Sequence, residues 1–404
     1  MRIAAAALAL ASFVTVPQHD AQRSNLDAPY VSVSGDGRYV ALVSQAQLVP
    51  ADTDELRDVY VLDRAAGSVS LESVQLQGSS PEDTDSPALS HDGRFLVYES
   101  GDRVVWRDRQ KDVTTSLGVG REPAISGDGR FTAYTSPQGV MLFDATTHAT
   151  RNVSVDAAGR VFPNASSAPT LSGDGRYLAY ASTAPLTAAA TAMRAESTTG
   201  RRRPLSQVYV SDLHNGTTRM ASVAMGGKPA DNDSWGPAIS ADGCALAFVS
   251  NSTNLVRGDR NRSSDIFLLN LVNFGAGGSA EGSIELISRN AKGESGNGSS
   301  RRPALSMDGQ VVVFQSESSD LVKPDADINL LADVFLFDRR AGRTSRLSAD
   351  PASEWMEASG GPAIDASGRI VAFSSRHPIN AADKRNDFDL FVLDLTRLSL
   401  SSSR

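Results

Sequence analysis

Cysteine is almost absent from this chain: Cys244 stands alone among 404 residues. A single thiol excludes any intrachain disulfide and any redox chemistry through a cysteine pair, so stability has to come from packing. Aromatic residues are only 6% of the total, and the five histidines (His19, His91, His148, His214 and His377) are dispersed along the chain. Basic charge is also short. Lys and Arg number 39 against 47 Asp and Glu, giving a formal net charge of −8, which supplies no basic stripe for a phosphate backbone and argues against nucleic acid as a partner. No apolar run is long enough to span a bilayer. The Ala-rich run from Ile3 to Val16, behind Met1-Arg2, has the length of a signal-peptide core. Residues 1–22 are therefore expected to be an export signal, and 25–404 a single domain placed in the periplasm or outside the cell. The alternative is that Ser12 to Val16 forms an extra strand, because no Ala-x-Ala site follows in Pro17 to Ser24. Nor does a lipid-attachment cysteine follow the run. The sequence also lacks a Gly-x-Ser-x-Gly elbow, a His-Glu-x-x-His pair and a phosphate-binding loop.

What the chain does have is a repeat. Pro-Ala-Leu-Ser-His-Asp-Gly-Arg at Pro87 to Arg94 recurs as Pro-Ala-Ile-Ser-Gly-Asp-Gly-Arg at Pro123 to Arg130. Five further copies begin at Val31, Pro169, Pro237, Pro303 and Pro362; the first has Val31 for Pro and the last Ser367 for Asp. Each continues into an apolar run ending on serine, and then into a second run ending on Asp63, Asp108, Asp144, Asp212, Asn270, Asp338 or Asp394. Proline opening a first strand needs no ladder donor, and Asp-Gly marks a tight hairpin. The second and third strands, such as Tyr177 to Ser182 and Asp333 to Asp338, are apolar on both faces, whereas a fourth such as Thr344 to Ser348 is polar enough to lie at a wet edge. Four-stranded sheets with two apolar faces must stack. The fold predicted is all-β, a seven-bladed β-propeller of four-stranded antiparallel blades, with six blades as the alternative. A parallel β-helix fits less well, because its repeats are shorter and lack Asp-Gly hairpins.

Ser-x-Asp-Gly-Arg, an apolar run, Ser, and a later Asp-framed apolar strand together resemble the WD40-like propeller repeat of the TolB type, from about Val31 to Leu398. The stretch Asn254 to Asp265 is similar to a loop common in exported bacterial members of that family. The resemblance implies the propeller only. TolB's N-terminal α/β domain has no counterpart in this reading, so its role in outer-membrane maintenance is not carried over.

Alternating strand direction puts the loops between second and third strands on the same face as the segments joining blades. Those loops range from Pro137-Gln138 to Thr183–Ser206, while turns on the other face are short, so the loop-rich face is expected to carry function. Four of its loops are acidic: Asp52, Asp54 and Asp58; Asp259, Asn261 and Asp265; Asp325, Asp327, Asn329 and Asp333; Asp383, Asp387 and Asp389. Such spacing suits calcium, which wants several oxygens from one turn of chain, but acids that shape turns and start strands would look the same. Two tryptophans sit among acids ahead of inner strands, Trp235 with Asp231 and Asp233, and Trp355 with Glu354 and Glu357. They are candidates for ligand stacking or for packing between blades. Trp106, in a third strand, reads as core. Arg194 and Arg201-Arg-Arg203 belong to the longest loop, as a solvated insertion or a docking patch for an anion. The expected function is a non-enzymatic, monomeric, exported propeller that binds a protein, peptide or glycan, with calcium as its one candidate cofactor. The competing readings are a lyase or metal-dependent hydrolase with acids at the channel mouth, and a spacer between other components.

Overall fold

Each Ser-x-Asp-Gly-Arg phrase closes a hairpin whose side chains bond to one another. Ser34 Oγ donates to Asp36 at 2.5 Å and accepts the Tyr39 amide at 2.9 Å, while Asp36 accepts the Arg38 amide at 2.9 Å. The seventh copy looked degenerate, yet it only exchanges the two partners: Ser367 Oγ donates to Asp365 at 2.5 Å, and Asp365 accepts the Ile370 amide at 2.8 Å. The arginine reaches the aspartate that ends the third strand. Arg38 holds Asp63 through two bonds (3.0 and 2.7 Å), and Arg94 holds Asp108 in the same way (3.0 and 2.7 Å). Arg130 reaches Asp144 and Arg176 reaches Asp212, at 2.8 and 2.9 Å, and Arg369 lies 4.0 Å from Asp394. The guanidiniums of Arg38, Arg94, Arg130 and Arg176 also lie over the ring that follows each, at 4.9 Å for Tyr39 and 4.5 Å for Phe131.

These pairs make stability depend on acid. The Arg38 and Arg130 guanidiniums hold the carboxyls of Asp63 and Asp144 down at about 2, below their ordinary 3.8. A depressed pKa contributes stability above pH 3.8 that is lost as pH falls through about 2. The midpoint of urea unfolding is therefore expected to drop steeply between those two values. The double variant Asp63→Asn/Asp144→Asn should show a shallower drop, and an unchanged slope would refute this assignment.

The computed structural model describes residues 30–74, 81–188, 190–191, 203–224, 226–272, 284–322, 331–348, 359–375 and 389–397. The predicted leader at 1–22 lies outside them. Strands pair in chain order within seven antiparallel sheets, which gives blades at residues 31–71, 84–119, 121–152, 166–220, 234–286, 300–346 and 359–394. Seven blades therefore stand, and six are excluded. Among the described residues the seventh blade has three strands and the others four. Second and third strands are buried on both faces, as in Leu178, Ala179 and Tyr180, because the neighbouring blades cover them. Pairs such as Phe248–Phe267 and Phe314–Phe335, with ring centroids 5.9 Å apart, stack between the two middle strands of one blade. The ring closes without a gap: Val40, Leu42 and Tyr60 of the first blade share a core with Ile370, Ala372 and Val392 of the seventh.

A second closure runs through the backbone. On the short-turn face the amide of the second residue of each phrase, or of the third in the first and fifth blades, bonds to the second residue's carbonyl in the next blade. Asp36 N donates to His91 O, His91 N to Gly127 O, Gly127 N to Gly173 O and Gly173 N to Ala241 O, all at 2.8–2.9 Å. Asp242 N to Met307 O, Met307 N to Ala366 O and Ala366 N to Gly35 O complete the circuit at 2.8–3.1 Å. Among the described residues no helix is long and apolar enough to cross a membrane.

Candidate functional site

The first strand of every blade touches the first strand of the next, and Ser359–Ile364 returns to Val31–Val33, so these strands line the axis. Their starting ends lie on the loop-rich face. There, in six blades, the residue before the conserved proline is held left-handed: Ser86 (φ 50°), Glu122 (54°), Ala168 (51°), Gly236 (53°), Arg302 (54°) and Gly361 (63°). The ladder register shifts at the same place, as between Asp85 and Ala88 or between Arg301 and Ala304. A bulge of this kind re-aims a side chain, and strained backbone of this sort gathers at functional sites. Here it turns the side chains of Ser86, Glu122, Ala168 and Arg302, while Gly236 and Gly361 take the same backbone without one.

Polar groups at the mouth are cross-linked between blades. The Glu122 carboxylate accepts Thr135 Oγ1 and the Ala168 amide, both at 2.8 Å, and the Glu122 amide donates to Glu99 at 2.7 Å. Arg57 of the first blade meets Asp85 of the second at 3.0 Å, and within the sixth blade Arg301 meets Glu317 at 2.9 Å. The Arg302 guanidinium lies 4.8 Å from the ring of Tyr30, so a sixth-blade residue reaches a residue that leads into the first blade. Tyr30 is 48% exposed.

Of the ligand candidates, Trp235 falls inside the first strand of the fifth blade, Ser234–Ile239, and lies half-buried against a core shared by the fifth and sixth blades. Asp233 is clamped by Arg203, and its carboxylate accepts the Ser206 amide at 2.8 Å. Burial pushes its pKa up, but Arg203 and the amide bring it below the ordinary range. Arg203 thus ends the longest loop as a tether. Asp231 accepts the Thr253 amide and hydroxyl, at 3.1 and 3.2 Å. Glu354, Trp355 and Glu357 lie outside the described residues, as do Arg194, Arg201 and Arg202. Trp106 is core, with Nε1 donating to Gly129 O at 3.2 Å.

The strand-starting acids have one common task. Asp58, Asp265 and Asp333 each accept a serine hydroxyl, from Ser73, Ser288 and Ser348, at 2.5 Å. Each serine in turn accepts the next strand amide, that of Val59, Ile266 or Val334. In the fourth blade Gln207 serves without charge, accepting Ser222 at 2.6 Å. What differs is the rest of each loop. In the first blade Asp52, Asp54 and Asp58 bring ligand oxygens within 4.8 Å of one another. Tyr60 donates its hydroxyl to Asp52, which also takes the Asp54 amide at 3.2 Å. Burial, with Asp52 and Asp54 alongside, raises the Asp58 pKa. In the fifth blade both oxygens of Asp259 and one of Asp265 are buried without a hydrogen-bond partner. Burial pushes Asp259 up to about 6 against the pull of the nearby Asn261 amide, and pushes Asp265 up to about 7. Asn261 is engaged at both ends, donating to Gly296 O at 2.7 Å and accepting the Ser263 amide at 2.9 Å. Asp325, Asp327, Asn329, Asp383 and Asp387 lie outside the described residues; Asp389 opens the last described strand.

No family model matches the chain, and no curated protein matches it. Solved structures do. An oligogalacturonate lyase from Vibrio parahaemolyticus overlays with TM-score 0.55 at 12% identity, over 91% of this chain and 90% of that one. The β-propeller domain of the Trilobed protease from Pyrococcus furiosus gives TM-score 0.55 at 11% identity, over 91% and 96%. A putative TolB from Agrobacterium tumefaciens reaches TM-score 0.43 at 20% identity, over 70% and 84%, too low an overlap to carry an argument. At these identities the likeness is one of fold: the chain is a seven-bladed β-propeller.

Proposed function

We propose that this chain is a non-enzymatic, exported propeller that binds a protein, peptide or glycan through its loop-rich face. The observation that carries the reading is the set of left-handed bulges in six blades, which turns Ser86, Glu122, Ala168 and Arg302 at the channel mouth and brings Arg302 to the exposed Tyr30. An aromatic face beside a guanidinium suits a sugar ring or a peptide side chain with polar ends. The acids at the mouth are tied to arginine, hydroxyl or amide partners, which suits fixed recognition better than proton transfer. Export rests on the leader-like run from Ile3 to Val16.

Peptide and oligosaccharide arrays probed with the intact chain test this. The best ligand is expected to bind Tyr30→Ala/Arg302→Ala at least tenfold more weakly, and to bind Arg340→Ala, on the short-turn face, unchanged. Equal loss in both variants, or in neither, would refute the assignment. A lyase or metal-dependent hydrolase is the second reading, and Glu122 among its mouth-side partners is the observation that favours it. Oligogalacturonate lyase shares the fold, so oligogalacturonate with a divalent cation is the first substrate to try. Turnover that Glu122→Gln abolishes would replace the binding reading.

A further inference from the structure

Repetition supplies internal controls for the acidic loops. In the first blade Asp52 is buried, and the Tyr60 hydroxyl satisfies it. Two residues into its third strand the fifth blade has Phe267 instead, which has no hydroxyl to give, and the equivalent acid there is Asp259. The sixth blade also has a phenylalanine, Phe335, but Arg346 lies 3.3 Å from its strand-starting Asp333. In the fifth blade the residue matching Arg346 is Leu286. Arg257, Arg260 and Arg262 belong to the same loop and are exposed, and Arg289 is spent on Glu285 and the Phe337 ring. Asp259 is 8% exposed and Asp265 fully buried, and three of their four oxygens accept no hydrogen bond although Asn261 lies beside both. Nearby Asp231 and Asp320 add negative charge; Asp320 itself is held by Asn290 and Asn297.

Buried carboxylates without donors are strongly unfavourable unless a cation or a proton joins them. We infer that the loop between the second and third strands of the fifth blade holds a calcium ion through Asp259 and the free oxygen of Asp265. The donors are all hard oxygens, with no histidine or cysteine in the loop, which selects against zinc and similar metals. Calcium accepts irregular sets of carboxylate, carbonyl and water oxygens, whereas magnesium demands a near-ideal octahedron. Asn261 shapes the loop, since its amide group is already engaged at both ends. The ion closes the loop beside the segment bearing Asp231 and Trp235. The inference stands apart from the ligand reading, whose test depends on Tyr30 and Arg302.

Calorimetric titration of the chelator-treated intact chain with calcium chloride, at neutral pH, tests it. One saturable site is expected in the wild type and in Asp52→Asn, and none in Asp259→Asn. Thermal unfolding should show an inversion. In chelator Asp259→Asn is expected to melt higher than the wild type, because it removes an unpartnered buried charge. With free calcium about a hundred times the dissociation constant, the wild-type unfolding constant should fall about a hundredfold and the order reverse. If no calcium binds, protons hold the pair and the inference is wrong. It is equally wrong if binding disappears in Asp52→Asn and survives in Asp259→Asn.

Discussion

Gly129→Ala is expected to destabilise the propeller by about 3 kcal/mol, against about 1 kcal/mol for Gly342→Ala. Both glycines are left-handed, at φ 75° and 60°, so any side chain strains both alike. They differ in what surrounds them. A β-carbon at Gly129 would sit 2.0 Å from Cδ2 of Phe95 in the preceding blade, whereas at Gly342 it meets open space. The glycine of the repeated phrase therefore does two things: it turns a hairpin, and it lets the aromatic of the blade before slide beneath it. The same nesting recurs where Gly93 covers Tyr39 and Gly243 covers Tyr177. Thermal and denaturant unfolding of the two variants measures the difference, and equal losses would show that backbone strain alone explains the glycine.

Glu72→Ala should destabilise by about 3 kcal/mol, because it takes the carboxylate from the largely buried Arg109 and leaves Arg107 with the exposed Asp112. Glu72 ends the first blade and meets Arg107 at 3.1 Å and Arg109 at 2.9 Å, both from the second. Burial alone would raise its pKa, but the arginines and Ser70 bring it below the ordinary range, so the carboxylate stays charged. Replacing ion pairs by apolar groups of similar volume is often neutral, so Glu72→Met/Arg107→Met/Arg109→Met, which removes both arginines with their acid, is expected to recover most of the loss. Arg340→Ala, at an exposed pair with Asp308, should change stability by about 0.5 kcal/mol or less. A Glu72→Ala loss as small as that would mean the interface admits water.

Much of this architecture was legible in the residues. Asp-Gly between apolar runs specifies a hairpin locally, and seven copies of one phrase specify seven blades, because the pattern is carried by neighbours in sequence. The Asp365 and Ser367 exchange looked like decay only because a partner swap is invisible without the bond between them. The bulges at Ser86, Glu122, Ala168 and Arg302 could not be read, since none of these residues favours a left-handed backbone and the twist is imposed by the ladder. Glu72 with Arg107 was hidden for a similar reason: nothing in sequence says which charges meet across a blade boundary. The acidic loops read alike from spacing. Their difference lies in Tyr60 against Phe267, a signal present in the alignment of repeats but meaningful only once the hydroxyl is seen on Asp52.

The circuit of seven amide-to-carbonyl links on the short-turn face has no first or last member. A linear ladder unzips from its termini, where the outermost pair has support on one side only; a hoop offers no such starting point. Opening any link asks its two flanking links to yield with it. Loops of very different length can then sit on the opposite rim, and be altered there, while the diameter of the ring stays fixed.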